Sequence, residues 1–280
     1  MRAFGLIASW GVQRAAVGVV DRSGLATVDG TPLLHGDARL RPRIASVTKL
    51  FTAYVGLIAV EEGSIDLDEP AGPEGATVRH LLSHTAGYGF SGDAVISPPG
   101  KRRIYSNTGI ERFADHLATR TGIPFGHYLA EAVLEPLGMR DSELRGSPAF
   151  GLHSTLADLA QFAAELLEPR LIAHSTLDEA VRVQFPGVSG ILPGVGRFDP
   201  CDWGLGFERN LGKPSHWSGM RISRESFGHF GGSGSFLAVD PTIGRAIVCL
   251  TDREYDKWAL EAWPIFCDAV VDELAPAGSR

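Results

Sequence analysis

Ser46 and Lys49 stand three positions apart in Ile44-Ala45-Ser46-Val47-Thr48-Lys49-Leu50-Phe51, and an apolar run continues through Tyr54, Val55, Leu57, Ile58 and Val60. Helical spacing puts residues three and four apart on one face, so the Lys49 amine would sit one turn after the Ser46 hydroxyl. In a first turn, unpaired backbone N–H groups and the positive end of the helix dipole favour negative charge. A serine hydroxyl is a weak nucleophile until a base takes its proton. A lysine can be that base if burial lowers its pKa. The plainer alternative is a serine at a helix start beside a lysine on a solvated face. The apolar helix argues against it, because a surface lysine is out of place there. The chain has only four lysines: Lys49, Lys101, Lys213 and Lys257.

Two further stretches carry groups that could serve such a nucleophile. Tyr105-Ser106-Asn107 precedes an amphipathic pattern through Ile110, Phe113 and Leu117. Alone it reads equally well as helix capping, since Ser and Asn are good caps. His229-Phe230-Gly231-Gly232 lies in the most glycine-dense part of the chain, where a histidine is often only a loop or core residue. Ser233 and Ser235 follow, but no G-x-S-x-G pentapeptide occurs, so a nucleophile elbow has no support. His80 and His84 have i, i+4 spacing, yet no neighbouring Glu, Asp or Cys completes a metal site. We read them as structural histidines at a helix end, and no metal or other cofactor is expected.

The elements that must position these groups follow from pattern and punctuation. Ala15–Val20 and Leu25–Val28 flank the turn Asp21–Gly24 and predict an opening hairpin. The helix bearing Lys49 should stop near Glu61-Glu62-Gly63. Thr77–Gly87 reads as a short helix running into a loop, an amphipathic helix passes through Ile110, Phe113, Leu117 and Ala118, and further helices are expected over 125–134, 156–167 and 174–184. Glycine and proline then rise from Pro186 to Gly219, with a strand candidate at Trp203–Glu208. Phe236–Asp240 and Arg245–Thr251 predict a second hairpin, and Trp258–Leu274 a closing helix. Strands therefore sit at both ends of the sequence and helices between them.

The whole chain, 280 residues with 44% hydrophobic and 21% charged, is globular in composition and long enough for a sizeable core. Its net charge of −7, without a basic tract, argues against a nucleic-acid partner. Cys201, Cys249 and Cys267 are odd in number and widely spaced, which suggests reduced thiols and a cytoplasmic setting. The N-terminal stretch Met1–Trp10 reads as a folded helix rather than a signal peptide. No apolar run reaches membrane-spanning length, so no membrane association is expected.

Taken in order, these segments resemble the serine β-lactamase and penicillin-binding-protein family. The nearest branch is the class C type, with DD-peptidases, D-aminopeptidases and family VIII-like esterases as relatives. The resemblance also rests on Leu81-Leu82-Ser83-His84-Thr85-Ala86-Gly87, on Pro99-Gly100 before Tyr105, and on Pro136-Leu137-Gly138-Met139. Gly151–Leu159 and Gly204-Leu205-Gly206-Phe207 extend it, so that it spans roughly residues 15 to 270.

The resemblance implies an α/β (α+β) fold in which N- and C-terminal segments build one antiparallel sheet, flanked by helices, around a mostly helical middle. It implies one catalytic domain over residues 1–280, with an α/β part (1–45 plus about 203–280) and a helical part (about 46–202). Ser46 would be the acylated nucleophile and Lys49 its proton acceptor. Tyr105 would act in general base and acid steps, its phenol lowered by a nearby ammonium. Asn107 would orient Lys49 and the substrate amide. Ser46 and Gly232 would supply oxyanion N–H groups, and glycine at 231 and 232 would let the strand edge approach the substrate. His229 stands where many β-lactamases have a lysine, and would offer a substrate carboxylate only a partial, pH-dependent charge.

The implied function is a serine hydrolase acting on a small molecule: a lactam, an ester or a D-amino-acid amide. A cytoplasmic carboxylesterase or D-amino-acid amidohydrolase on the same fold is the rival, and a catalytically silent binding homologue a third reading. Oligomeric state stays open.

Overall fold

A computed structural model describes residues 1–192 and 194–275. Seven strands form one antiparallel sheet: β1 (Ala15–Asp21), β2 (Gly24–Leu25), β3 (Leu34–Gly36), β4 (Glu208–Arg209), β5 (Phe227–Gly231), β6 (Ser235–Asp240) and β7 (Arg245–Thr251). Their order is β4-β5-β6-β7-β1-β2, with β3 also pairing with β1. The first and last parts of the chain thus meet at the centre, where Ala15 pairs with Thr251 and Val20 with Ala246. This is the expected sheet of N- and C-terminal segments.

Period-two alternation divides each strand between two cores. Ala16, Val20, Leu237, Val239, Val248 and Leu250 face the helices of the middle region. Val17, Val19, Phe236, Ala238, Ile247 and Cys249 face a second core. That core is covered by a 3₁₀ helix over Arg2–Ser9 and by the closing helix over Lys257–Leu274. Because both faces are covered, the strands are apolar almost throughout rather than alternating with polar residues.

The middle region supplies α1 (Thr48–Glu61), α2 (Val78–Leu82), α3 (Asn107–Thr121) and α4 (Leu156–Leu167). Every residue of α1 from Thr48 to Ala59 is buried. A helix apolar all round lies inside a protein, and α1 does so between the sheet and its sister helices. Phe51 stacks on Phe162 of α4 with ring centroids 3.8 Å apart, and Tyr54 meets the same ring edge-on.

The expected 125–134 helix divides into an α turn, Phe125–Leu129, and a π turn, Ala130–Leu134. The expected glycine-rich loop after Pro186 contains a hairpin, Gly190–Leu192 with Gly196–Phe198, whose first strand runs parallel to Arg103–Ile104. The strand expected at 203–208 is reduced to β4, with Trp203 bridging to Glu208. Cys201, Cys249 and Cys267 are buried as free thiols. Among the described residues, no helix is long and apolar enough to cross a membrane.

Candidate active site

The nucleophile candidate sits in a short 3₁₀ turn, Ala45–Val47, that runs straight into α1. Ala45 adopts a left-handed φ of +46°, a conformation a non-glycine residue holds only where its surroundings fix it. Three contacts do so. Ile44 N–H donates to the Leu152 carbonyl at 2.9 Å. Ser235 Oγ donates to the Ile44 carbonyl at 2.7 Å. Gly231 of β5 passes so close that a Cβ there would lie 2.4 Å from the Ile44 carbonyl oxygen. The glycine at 231 therefore lets the strand approach the nucleophile turn. A Cβ on Gly232 would meet nothing within 4 Å, so this glycine faces open space beside Ser46.

Lys49 is fully buried, as its apolar helix demands. Its Nζ lies 3.2 Å from Ser46 Oγ and donates to Asn107 Oδ1 at 2.7 Å and to the Ala149 carbonyl at 2.9 Å. Burial pushes the ammonium down to about 7, against a smaller opposing pull from Glu111. At neutral pH a substantial share of the amine is therefore free to accept a proton. Nothing in the sequence signals Ala149, because its contribution is a backbone oxygen.

The segment before α3 divides its labour. Ser106 is the cap, its Oγ accepting from Gly109 N–H at 2.9 Å. That frees Asn107 to hold Lys49. Tyr105, 8% exposed, presents its ring to Lys49, whose Nζ lies 4.7 Å from the centroid. Burial raises the phenol above its ordinary pKa, and a hydrogen bond with Ser46 offsets only part of that. The expected lowering by a nearby ammonium is overridden, so the resting Tyr105 is a neutral phenol.

His229 meets Tyr105 from β5, Nε2 lying 3.3 Å from the phenol oxygen. Its Nδ1 lies 2.6 Å from the Phe230 carbonyl, and a carbonyl can only accept, so the ring proton resides on Nδ1. Nε2 therefore accepts from Tyr105. Burial, reinforced by the charge of Lys49, pushes His229 down to about 3. The expected partial positive charge is absent at working pH, because a ring 1% exposed cannot be hydrated as a cation.

The two histidines of the i, i+4 pair do separate work. His80 Nδ1 receives the Thr77 N–H at 3.2 Å and completes a capping box. His84 Nδ1 receives the Ser106 N–H at 3.2 Å, and its ring packs 4.7 Å from that of Tyr105. His84 thus braces the Tyr105–Asn107 segment.

A cavity of about 210 Å³ opens over Ser46 and is bordered by Tyr105, His229 and Gly232. The remaining wall is Phe90, Leu192, Gly194, Phe230 and Tyr255. Leu192 and Gly194 come from the glycine- and proline-rich stretch after Pro186, whereas Phe90 and Tyr255 were not singled out by the sequence. Behind the wall, Trp203 packs 5.6 Å from the His229 ring and 6.0 Å from the Tyr105 ring.

Three segments far apart in the chain thus converge on one hydroxyl: an amine able to take a proton, a neutral phenol, and backbone beside open space. This arrangement suits acyl transfer to serine.

Comparison with known proteins agrees with the geometry. The family model described as Beta-lactamase matches residues 8–266. A crystal structure of a beta-lactamase from Mycobacterium bovis superposes with a TM-score of 0.93 at 46% identity, covering 97% of this chain and 99% of that one. A curated Beta-lactamase of Escherichia coli (strain K12) is 23% identical over 79% of this chain and 78% of its own length. The unliganded simvastatin synthase of Aspergillus terreus shares the fold, with a TM-score of 0.78 at 16% identity over 98% of this chain and 97% of that one.

Proposed function

Because this chain belongs to the beta-lactamase family, we propose that it is a serine hydrolase working through an acyl-enzyme on Ser46. The observation that carries this reading is the 3.2 Å approach of Lys49 Nζ to Ser46 Oγ, with an ammonium that burial pushes down to about 7. Free Lys49 amine takes the Ser46 proton as Oγ adds to a substrate carbonyl carbon. The carbonyl oxygen becomes an oxyanion, held by the backbone N–H groups of Ser46 and Gly232. Collapse breaks the bond to the leaving oxygen or nitrogen, which receives a proton from Lys49 by way of the Tyr105 hydroxyl. Water then repeats the addition, Ser46 leaves with its proton restored, and a carboxylic acid is released. Asn107 keeps the amine aimed throughout, since its Oδ1 holds Nζ at 2.7 Å.

A fluorophosphonate label read by intact mass tests this reading. One adduct is expected, located on Ser46 by peptide mapping, and lost in Ser46→Ala. Lys49→Ala should fold and label at least about 100-fold more slowly, the usual scale of a general base. Absence of an adduct on Ser46 would instead favour the catalytically silent homologue.

A further inference from the structure

A beta-lactamase is named for cleaving a cyclic amide, and benzylpenicillin, one such amide, carries a carboxylate beside the bond that breaks. The cavity here is built for something else. Among the described residues that line it, none is a lysine or arginine. The polar side chains at its floor have their donors committed. All three contacts of Lys49 Nζ are within the protein, to Ser46, Asn107 and Ala149. The His229 Nδ1–H is spent on the Phe230 carbonyl, and its Nε2 is an acceptor facing the Tyr105 hydroxyl. The Tyr255 hydroxyl donates to the Gly194 carbonyl at 3.2 Å.

What remains facing the substrate is apolar. Phe90, Leu192 and Phe230 form the wall, with Phe230 packed 4.6 Å from the Tyr255 ring. The apolar wall reaches the protein surface at Phe90, which is 54% exposed. At about 210 Å³ the cavity is smaller than the roughly 300–1,000 Å³ of drug-sized sites.

We propose that the site selects compact, uncharged carboxylic esters, and that it discriminates against substrates carrying a carboxylate next to the bond it cleaves. This rests on the acyl-enzyme reading above. A carboxylate brought against this wall would lose its water without gaining a cation, while the N–H groups of Ser46 and Gly232 are taken by the carbonyl oxygen under attack. An uncharged ester gives up far less hydration on entering, since its carbonyl oxygen is received by the Ser46 and Gly232 N–H groups, and it buries its apolar surface. The overall change is ester plus water to acid plus alcohol, with no other reactant.

The test compares methyl 3-acetoxybenzoate with 3-acetoxybenzoate, which differ in charge beside the same acetyl ester. Rates of acetate release are each normalised to hydroxide-catalysed hydrolysis. The neutral ester should be favoured in kcat/KM by about 100-fold, the scale on which an apolar pocket rejects an added polar group. Benzylpenicillin, monitored by intact mass, should leave Ser46 unmodified over the same period. Equal rates for the two esters, a preference for the anion, or a penicilloyl adduct on Ser46 would overturn the substrate assignment. A fluorophosphonate adduct on Ser46 with neither ester turned over would overturn it too, while leaving the hydrolase reading standing. Only loss of the fluorophosphonate adduct as well would remove both. As a gain-of-function arm, Tyr255→Arg should narrow the ratio at least threefold by supplying a cation at the rim, and an unchanged ratio would overturn the assignment.

Discussion

Gly231 and Ile44 are 187 positions apart in sequence yet so close in space that a Cβ on the glycine would fall 2.4 Å from the Ile44 carbonyl oxygen. The same Cβ would lie 2.5 Å from Ser235 Oγ, which holds that carbonyl at 2.7 Å. Gly231→Ala must therefore displace the turn carrying Ser46, or the strand, or both. Overpacking of this kind costs about 1–3 kcal/mol. We expect Gly231→Ala to unfold at a lower temperature and to label on Ser46 far more slowly. Gly232→Ala should keep the wild-type melting temperature, because its Cβ meets nothing within 4 Å. Equal melting temperatures for the two variants would refute the close-approach account.

The pH dependence of acylation follows from Lys49. Its amine works as a base only when unprotonated, and burial sets the boundary at about 7. The acylation rate should rise with pH through that value and level off about one unit above it. At pH 5 it should be about 100-fold below the plateau, since only that share of the amine is free. His229, pushed down to about 3, should add no second limb between pH 5 and 9. Single-turnover acylation by p-nitrophenyl acetate across this range checks both points. A flat profile, or one still rising at pH 10, would mean that Lys49 is not the base.

Tyr105 lies between the nucleophile and His229, and its raised pKa makes it a neutral donor rather than a standing phenolate. Tyr105→Phe removes the hydroxyl while keeping the ring against Lys49, His84 and Trp203. Acylation or deacylation should slow by about 10²–10⁴-fold, the range for a positioned proton donor. Stability should fall by only about 1–3 kcal/mol, through the unpaired His229 Nε2. If both acyl steps ran within threefold of wild type, the phenol would have no part in the proton transfers.

The large elements were legible because their patterns are long. The run from Leu50 to Val60 and the pair Phe236–Asp240 and Arg245–Thr251 each repeat one periodicity over several residues. The convergence of Ser46, Lys49, Tyr105 and Asn107 was legible only as a set, since Tyr105-Ser106-Asn107 alone also suits a cap, and Ser106 is one. Two readings failed for the same physical reason. A phenol beside an ammonium suggests a lowered pKa, and a histidine standing where many β-lactamases have a lysine suggests a partial charge. Sequence spacing shows the neighbours of Tyr105 and His229 but not the depth of their burial, and depth decides both. The hairpin at 190–198 was hidden because two three-residue strands in a glycine-rich segment carry no periodicity.

Nor could the sequence reveal what lies behind the wall of the cavity. Glu208, 1% exposed, accepts from Lys213 Nζ at 3.1 Å, His216 Nε2 at 3.0 Å and Trp217 Nε1 at 2.7 Å. Burial works to raise its pKa, but Lys213 and His216, with the hydrogen bonds of His216 and Trp217, hold it well below the carboxylate range. The carboxylate thus binds the segment 213–217 to β4, beneath Trp203. Glu208→Ala leaves the Lys213 ammonium, 5% exposed, without its counter-charge. Stranding one partner of a buried pair costs about 3–5 kcal/mol. The loss should be visible in urea melts at pH 7. Because the folded pKa is depressed, the wild-type stabilisation is present above the ordinary carboxylate range and fades only as pH falls below it. The gap between wild type and Glu208→Ala should therefore shrink on acidification below about pH 4. Glu208→Leu combined with Lys213→Met should lose less than Glu208→Ala alone, since no buried ammonium is then left unpaired. Additive losses in the double variant would mean that the pair is not coupled, and that Glu208 acts through His216 and Trp217 alone.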